Sequence, residues 1–245
     1  MTKIYEALQH AYRSRKGTER TPALPIIKET CANMYDVDME EEMLGLFKTI
    51  DSILAQDQKW ILQFIGTRKG EGTSTIIREF ARVAATKIRK SVLLLDADRL
   101  NPSQHLYFGI HSDCGWQESV KEEINIDKML HQIGETSLFL GASSNSRGYT
   151  PEIFDSGGFE AFWQNLWERF DLILVDSPPL TSSPDGLALA PKMSGTILIV
   201  EAEKSRWPTV KNAHARITQV GGKVLGIVFN KRRYYIPQAI YKHLI

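Results

Sequence analysis

A glycine-rich loop is the first segment of the chain whose residue types suggest a chemical role. It reads GTRKGEGTST over residues 66–75 and separates an apolar stretch from an amphipathic one. Loops of this composition turn backbone N–H groups, and the positive end of the helix that follows, toward phosphate oxygens. Gly70 and Gly72 would form the cradle. Taken alone, the loop is equally compatible with a tight turn that joins a strand to a helix and binds nothing.

The loop departs from the strict pattern G-x-x-x-x-G-K-[ST] at its charged position. Thr73 stands where that pattern has a lysine, which carries a full positive charge to the β and γ phosphates. A hydrogen bond to a charged group is worth about 1.5–3 kcal/mol, so its loss weakens a nucleotide site. Ser74 keeps the hydroxyl that such loops offer to Mg²⁺. Arg68 or Lys69 could replace the lysine only if the loop turned one of them inward.

Carboxylates follow two later apolar stretches. Asp96 and Asp98 end the segment SVLLLDAD at 91–98, and Asp176 ends DLILVD at 171–176. A carboxylate at the carboxyl end of a parallel strand can hold Mg²⁺ directly or through water. A single aspartate after a strand is usually a turn or cap residue. Three of them at two strand ends, beside a glycine loop, favour a site for a metal and a phosphate.

Apolar stretches and amphipathic segments alternate along the chain and predict the elements that position these residues. The predicted strands are 60–66, 91–98, 137–140, 171–175, 196–200 and 223–229, and the predicted helices are 41–54, 74–89, 159–170 and 210–219. Continuous hydrophobicity, as in VLLL, LILV and ILIV, indicates strands that are buried on both faces. The sequence therefore predicts an α/β fold, a doubly wound and mostly parallel sheet with helices on both faces.

Three regions make up the predicted domain organisation. Residues 1–40 contain an amphipathic helix at 3–14 and a proline-containing linker, residues 41–230 form the α/β domain, and residues 231–245 are a basic tail that contains tyrosines. The apolar stripe of the first helix predicts docking on a partner or sister subunit, with packing on its own domain as the alternative.

The composition narrows the classes of function. Of the 245 residues, 42% are hydrophobic and 24% charged, which excludes a disordered tail protein and a coiled-coil rod. The net charge of +1 provides no electrostatic footprint for nucleic acid, so we expect no nucleic-acid partner. No run approaches the roughly 18 apolar residues of a membrane span, and the first residues lack the apolar core of a signal peptide. We therefore expect a cytoplasmic protein.

Five segments, in order, resemble the bacterial tyrosine kinase family, P-loop proteins that accompany the export of capsule and exopolysaccharide. The segments are GEGTST at 70–75, where the family reads GEGKST, LLLDADRLNP at 93–102, PEIFDSGGFEAFWQNLWERF at 151–170, FDLILVDSPP at 170–179, and VLGIVFNKRR at 224–233. The resemblance spans residues 42–245 and implies a P-loop NTPase fold of the deviant Walker A type. It also implies ATP or ADP and Mg²⁺ as cofactors.

The resemblance implies a role for individual residues of these motifs. The implied phosphate-binding residues are Gly70, Glu71, Gly72, Thr73, Ser74 and Thr75, with Asn230 at the adenine; the implied catalytic residues are Asp96, Asp98 and Asp176; and the implied metal ligands are Ser74, Asp98 and Asp176. A strand-end turn is the alternative role for Asn230. Arg99 departs from the family's D-A-D-x-R pattern, because it directly follows Asp98 and Leu100 stands at the arginine's position.

The family phosphorylates its own tyrosine-rich C-terminus, which is presented by a neighbouring subunit in a ring. The candidate phosphoacceptors in this chain are Tyr234, Tyr235 and Tyr241. The alternative is that this short and rather apolar tail packs on the domain. The resemblance also implies a homo-oligomer and a membrane partner, a polysaccharide co-polymerase that regulates chain length. Such a partner would recruit the protein to the inner face of the cell membrane.

Three functions are compatible with these observations. The first is a nucleotide-binding protein that resembles the tyrosine autokinases of polysaccharide export, with its catalytic activity called into question by Thr73. The second is a pseudokinase that acts as a scaffold of the same machinery without nucleotide turnover. The third is a partition or division-site ATPase, whose loop K-G-G-x-G-K has lysines where this chain has Arg68 and Thr73.

Overall fold

The computed structural model describes residues 39–55, 57–111, 115–121, 126–143, 153–154 and 156–232. Its strands are β1 (Trp60–Gly66), β2 (Val92–Asp96), β3 (Leu130–Gln132), β4 (Leu138–Gly141), β5 (Leu172–Asp176), β6 (Gly195–Glu201) and β7 (Val224–Asn230). Its helices are α1 (Glu40–Ile53), α2 (Thr73–Thr86), α3 (Gln104–Phe108), α4 (Trp116–Lys121), α5 (Gly157–Arg169), α6 (Asp185–Leu189) and α7 (Trp207–Gln219), with 3₁₀ turns at Ile126–Lys128 and Ala190–Lys192. The predicted helix at 3–14 lies outside the described residues.

The strands form one sheet in the order β3-β4-β2-β5-β1-β6-β7. Every neighbouring pair is parallel except β3 and β4, so the predicted mostly parallel, doubly wound sheet is confirmed. In the register, Asp96 at the end of β2 is opposite Asp176 at the end of β5, and Asp176 is opposite Phe64 of β1. The carboxyl ends of these three strands therefore meet at one edge, where ligands bind in open α/β sheets.

Residues of the central strands alternate between two buried layers. In β2, Val92 and Leu94 pack in the layer that contains α1 and α2, whereas Leu93 and Leu95 pack in the layer that contains α4 and α5. Successive strand side chains point to opposite faces, so a strand covered on both faces has to be apolar throughout. Each large apolar side chain buried in these layers contributes roughly 1.5–3 kcal/mol to the stability of the fold.

The element boundaries differ from the predicted ones for identifiable reasons. Helix α2 ends at Thr86 rather than 89, and Arg89 has a φ of +62°, a left-handed conformation that no helix continues through. Helix α7 begins at Trp207 rather than 210, because Pro208 in its first turn is compatible with a helix start. Strand β2 ends at Asp96, two residues before the predicted end.

Four short elements have no predicted counterpart: β3, α3, α4 and α6. They contain three to six residues each, too few to show a hydrophobic period. Helices α3 and α6 follow β2 and β5, the two strands that end in aspartates. None of the helices in the described ranges is long and apolar enough to cross a membrane.

Candidate functional site

The glycine-rich loop connects β1 to α2 and has the backbone conformation of an anion cradle. Gly70 and Gly72 have φ angles of +91° and +90°, and a Cβ at Gly72 would lie 2.2 Å from Asn230 Nδ2. Glycine is therefore required at position 72. The backbone N–H groups of Gly72, Thr73 and Ser74 have no acceptor among the described residues. The loop thus presents unused donors, together with the positive end of α2, to a ligand.

Glu71 braces this loop from inside. Its side chain is buried, and Oε2 accepts hydrogen bonds from the backbone N–H groups of Thr67 (2.6 Å) and Arg68 (2.9 Å). Oε1 accepts from the hydroxyls of Thr67 (2.8 Å) and Ser205 (2.6 Å). The carboxylate is thus used by donors of the protein itself and fixes the shape of the loop. The predicted role of Glu71 in phosphate binding stays a prediction.

The end of β7 holds the other side of the loop. Asn230 Nδ2 donates to the backbone carbonyl of Glu71 at 2.8 Å, and Lys231 Nζ donates to the carbonyl of Gly70 at 2.5 Å. Lys231 has a φ of +58° and also lies 3.8 Å from the Glu201 carboxylate. Asn230 is therefore next to the loop, as its motif suggests, and its amide fixes the loop. The predicted contact of Asn230 with adenine stays a prediction.

A cavity of about 280 Å³ lies between the loop and the ends of β2 and β5. It is lined by residues 68–75 together with Asp98, Asn101, Ser103, Ser177 and Pro179. The structure therefore brings the predicted residues Gly70 to Thr75 together with Asp98. Asp96, Asp176 and Asn230 are not among the residues that line it.

Asp96 is saturated with hydrogen bonds from the turn that follows β2. Its Oδ2 accepts from the backbone N–H groups of Ser103 (2.9 Å) and Gln104 (3.0 Å), and its Oδ1 accepts from that of Asp98 (3.2 Å). The side chain is fully buried. Burial and the neighbouring Asp176 raise the pKa of Asp96 to about 8, although the backbone donors oppose the rise. The carboxyl group closes the connection between β2 and α3, and its predicted catalytic role stays a prediction.

Asp176, the register partner of Asp96, has one carboxylate oxygen to spare. Its Oδ2 accepts from Gln104 Nε2 at 2.7 Å, whereas its buried Oδ1 has no hydrogen-bond partner among the described residues. Burial raises the pKa of Asp176 to about 6, although the Gln104 amide and the Ser74 hydroxyl oppose the rise. A buried oxygen without a partner is costly. Next to a phosphate loop, it has the chemistry and the position of a ligand for Mg²⁺.

Gln104, the first residue of α3, connects the separate parts of this edge. Its Nε2 donates to Asp176 and, at 3.2 Å, to the backbone carbonyl of Ser74, and its Oε1 accepts from Arg78 Nε at 3.0 Å. The Arg78 guanidinium lies 3.6 Å from the centre of the Tyr107 ring. Sequence reasoning did not find Gln104, because a glutamine in a polar stretch after a strand has no distinguishing pattern.

Asp98 and Arg99 follow β2 and reach different partners. Asp98 Oδ1 accepts from the backbone N–H groups of Leu100 and Asn101, both at 3.1 Å. Partial burial raises the pKa of Asp98, against these two hydrogen bonds and the nearby Lys69 ammonium. Arg99 Nε donates to the buried Asp185 carboxylate at 2.5 Å. The arginine that departs from the family's spacing therefore has a structural partner at the start of α6.

The three candidate phosphoacceptors, Tyr234, Tyr235 and Tyr241, lie outside the described residues. The same holds for Cys31 and Cys114, the two cysteines of the chain.

No protein-family model matches the chain. Among curated proteins, CapB of Staphylococcus aureus, which carries the name of a tyrosine-protein kinase, is 24% identical over 209 residues, 83% of this chain and 91% of that protein. The tyrosine-protein kinase ptk of Acinetobacter johnsonii is 25% identical over 190 residues, 78% of this chain. The chain spans only 26% of the length of that second relative.

Solved structures show the same resemblance in the fold. The kinase domain of the Escherichia coli tyrosine kinase ETK has a TM-score of 0.76 at 18% identity, over 92% of this chain and 88% of that one. The chimerical protein CapA2B2 has a TM-score of 0.75 at 19% identity, over 81% and 87%. The septum site-determining protein MinD of Pyrococcus horikoshii, complexed with Mg-ADP, has a TM-score of 0.61 at 14% identity, over 76% of each chain. The resemblance to the bacterial tyrosine kinases that the five sequence segments indicated is therefore confirmed.

Proposed function

We propose that the cavity beside the glycine-rich loop binds a magnesium nucleotide, ATP or ADP. The observation that carries this proposal is that Gly72, Thr73 and Ser74 line the cavity and their backbone N–H groups have no acceptor among the described residues. The buried Oδ1 of Asp176, at the end of β5, also has no partner among the described residues. The backbone N–H groups of Gly72, Thr73 and Ser74 would bind phosphate oxygens. The Ser74 hydroxyl, Asp176 and Asp98 are the residues that would hold Mg²⁺, which neutralises phosphate charge when it is bound.

The chemistry that this site supports is phosphoryl transfer to a tyrosine hydroxyl. The tyrosine Oη forms a bond to the γ phosphorus, the bond from that phosphorus to the ADP oxygen breaks, and the hydroxyl proton passes to a carboxylate. Asp98 lines the cavity and has a raised pKa, so it is placed to accept that proton. Such transfer depends almost entirely on positioning and charge neutralisation. Because Thr73 contributes no charge, we propose weak binding and slow transfer.

We propose that the protein is a cytoplasmic component of polysaccharide export. It would act at the inner face of the membrane together with a co-polymerase. Tyr234, Tyr235 and Tyr241 are the proposed acceptors within a homo-oligomer. The amphipathic helix at 3–14 is the proposed docking segment. Deletion of residues 1–24 should then weaken association with the partner or between subunits while the melting temperature stays nearly unchanged, and a large loss of melting temperature would contradict this assignment.

One observation favours a pseudokinase scaffold as the second candidate function. Thr73 stands at the position of the loop's cation, while Gln104 still joins Asp96 and Asp176 by hydrogen bonds in a buried network. A fold that keeps this network could serve as a docking subunit without turnover. For a partition ATPase the observations are less favourable, because the Arg68 guanidinium donates to the carbonyl of Lys204, at 3.1 Å, and not into the loop.

Calorimetric titration of Mg-ATP and Mg-ADP into the purified protein tests the proposal. We expect weak binding by the wild type and a Kd for Mg-ATP about tenfold or more lower for Thr73→Lys, which adds one charge-assisted contact. Thr86→Lys is the matched control, since it adds the same charge at an exposed position, the last residue of α2. Equal affinity of the wild type and Thr73→Lys would show that the loop is not a phosphate site.

Phosphotyrosine detection after incubation with Mg-ATP separates the two candidate functions. A kinase accumulates phosphotyrosine slowly in the wild type and faster in Thr73→Lys. A scaffold binds nucleotide in the titration but shows no phosphotyrosine in either protein.

A further inference from the structure

We infer that Lys69 supplies the positive charge that Thr73 withholds from the phosphate loop, and that it acts on the terminal phosphate of a nucleoside triphosphate. The inference rests on the proposed function, since it names the residue of that site that distinguishes a triphosphate from a diphosphate.

Three cations lie on or next to the loop, and two of them, Arg68 and Lys231, lie near residues at the end of β6. Arg68 donates to the carbonyl of Lys204, which follows β6. Lys231 donates to the carbonyl of Gly70 and lies 3.8 Å from Glu201 at the end of β6. Lys69 takes the opposite direction, because its Nζ donates to Asn101 Oδ1 at 3.0 Å, in the turn after β2.

The direction of Lys69 is the one in which the cavity lies. In the sheet order, β5 and β2 are on one side of β1, and β6 and β7 are on the other. The cavity is bounded by the loop and by residues that follow β2 and β5, and both Lys69 and Asn101 line it. The ammonium is also close enough to Asp98, another lining residue, to lower the pKa of that carboxyl group.

The same side is where the terminal phosphate belongs. A bound Mg²⁺ would neutralise the charge of the terminal phosphates, and its proposed ligands are Asp176, the last residue of β5, and Asp98, which follows β2. A triphosphate whose metal was held there would have its γ phosphate in the cavity that Lys69 lines. The lysine ammonium carries three N–H donors, and Asn101 is the one hydrogen-bond acceptor that Lys69 has within the described part of the chain. Donors therefore remain for a phosphate without any change in the loop.

Calorimetric titration at low ionic strength tests the inference with the variants Lys69→Met and Arg68→Met. The second variant removes a charge from the adjacent position, whose guanidinium donates to the backbone carbonyl of Lys204. We expect Lys69→Met to weaken Mg-ATP about tenfold and Mg-ADP by less than about threefold, since only the triphosphate has the contact. Arg68→Met should weaken both nucleotides by the same factor, below about threefold. Added salt should reduce the Lys69→Met effect, because the residue is exposed.

A second comparison uses Thr73→Lys in both backgrounds. If Lys69 serves the phosphate that the missing lysine would serve, Thr73→Lys improves Mg-ATP binding more in Lys69→Met than in the wild type, so the two effects are not additive. The inference is overturned if Lys69→Met affects Mg-ATP and Mg-ADP equally, as Arg68→Met does, while the wild type still binds. If neither the wild type nor Thr73→Lys binds nucleotide, the proposed function itself fails.

Discussion

The ends of β2 and β5 carry the same sequence pattern and use it differently. Each strand is fully buried and ends in an aspartate, and the two aspartates are register partners. Asp96 receives three backbone hydrogen bonds, two of them from the residues that begin α3. Asp176 receives one side-chain hydrogen bond and keeps Oδ1 without a partner among the described residues.

The chain after the strand, and not the strand itself, determines which partners a strand-end carboxylate has. After β2 the turn folds back and its N–H groups reach Asp96. After β5 the segment Ser177-Pro178-Pro179 includes two residues without an N–H group. Both oxygens of Asp96 therefore accept hydrogen bonds that hold the turn, whereas Oδ1 of Asp176 stays without one among the described residues. The predictions below test this division between structure and ligand binding.

The largest effect on stability is expected for Asp96→Ala. The substitution leaves the N–H groups of Asp98, Ser103 and Gln104 without their acceptor, and each buried donor left unpaired costs about 1–3 kcal/mol. The substitution also removes the cost of burying a carboxyl group, which offsets part of this loss. We therefore expect a decrease of about 3 kcal/mol in the free energy of unfolding. Urea denaturation with an unchanged m-value measures it. A loss below about 1 kcal/mol would mean that Asp96 is not the anchor of this turn.

Gln104→Met should cost about 2 kcal/mol, because it removes the amide donor from Asp176 and the acceptor from Arg78 at nearly constant volume. The control is the same change in an Asp176→Asn background, where no carboxylate is left to lose its donor. We expect a smaller loss there. Equal losses in both backgrounds would show that the contact between Gln104 and Asp176 contributes nothing.

The free energy of unfolding of the ligand-free protein, measured in the presence of a chelator, should decrease by about 1 kcal/mol from pH 7 to pH 8. The pKa of Asp96 is about 8 in the folded state and 3.8 as the model value, so between these values the unfolded chain is ionised while the folded protein holds a proton. The contribution of Asp96 to the free energy of unfolding is largest below pH 3.8 and is lost as the pH rises through 8. The pKa values of His105 and His131 are lowered by burial, and their effect lies below about pH 6.5.

Asp176→Asn provides the control for that measurement, because it removes the neighbouring charge that helps to raise the pKa of Asp96. The decrease in stability between pH 7 and pH 8 should therefore be smaller in the variant. A decrease of the same size would assign the effect to burial alone.

The smallest change in the ligand-free protein is expected for Asp176→Asn itself. Its apo stability should stay within about 0.5 kcal/mol of the wild type or increase slightly, since a neutral amide replaces a carboxylate whose ionised form is disfavoured by burial. In contrast, the magnesium dependence of nucleotide binding should be abolished. Melting curves with and without Mg-ATP measure both. An Asp176→Asn protein that keeps its full stabilisation by Mg-ATP would show that Asp176 does not hold the metal.

The sheet could be predicted from the sequence because its central strands are continuously apolar. VLLL in β2 and LILV in β5 are typical of strands covered on both faces, and the glycine loop marks where β1 gives way to α2. Strand β3 reads Leu-His-Gln and is not fully buried, so it has no such pattern. The helices α3 and α6 are too short for a period, although they hold Gln104 and Asp185.

The site could be predicted as a list of residues but not as a division of roles. The sequence places Asp96 and Asp176 alike at strand ends, and only the path of the turn through Ser103 and Gln104 occupies the oxygens of the first. Lys69 and Asn101 are 32 positions apart, so the sequence contains no sign that they meet. Contacts made by turns and exposed side chains depend on the completed fold and leave no periodic trace.

The clamp that β7 places on the glycine-rich loop has a consequence for the order of events during synthesis. Asn230 and Lys231 bind the carbonyls of Glu71 and Gly70 across 159 and 161 positions of the chain. Strand β1, which feeds the loop, pairs only with β5 and β6, both more than a hundred residues downstream. Contacts of such high sequence separation form slowly. A ribosome therefore has to deliver almost the whole domain before the loop can close, and a shorter growing chain lacks the proposed nucleotide site.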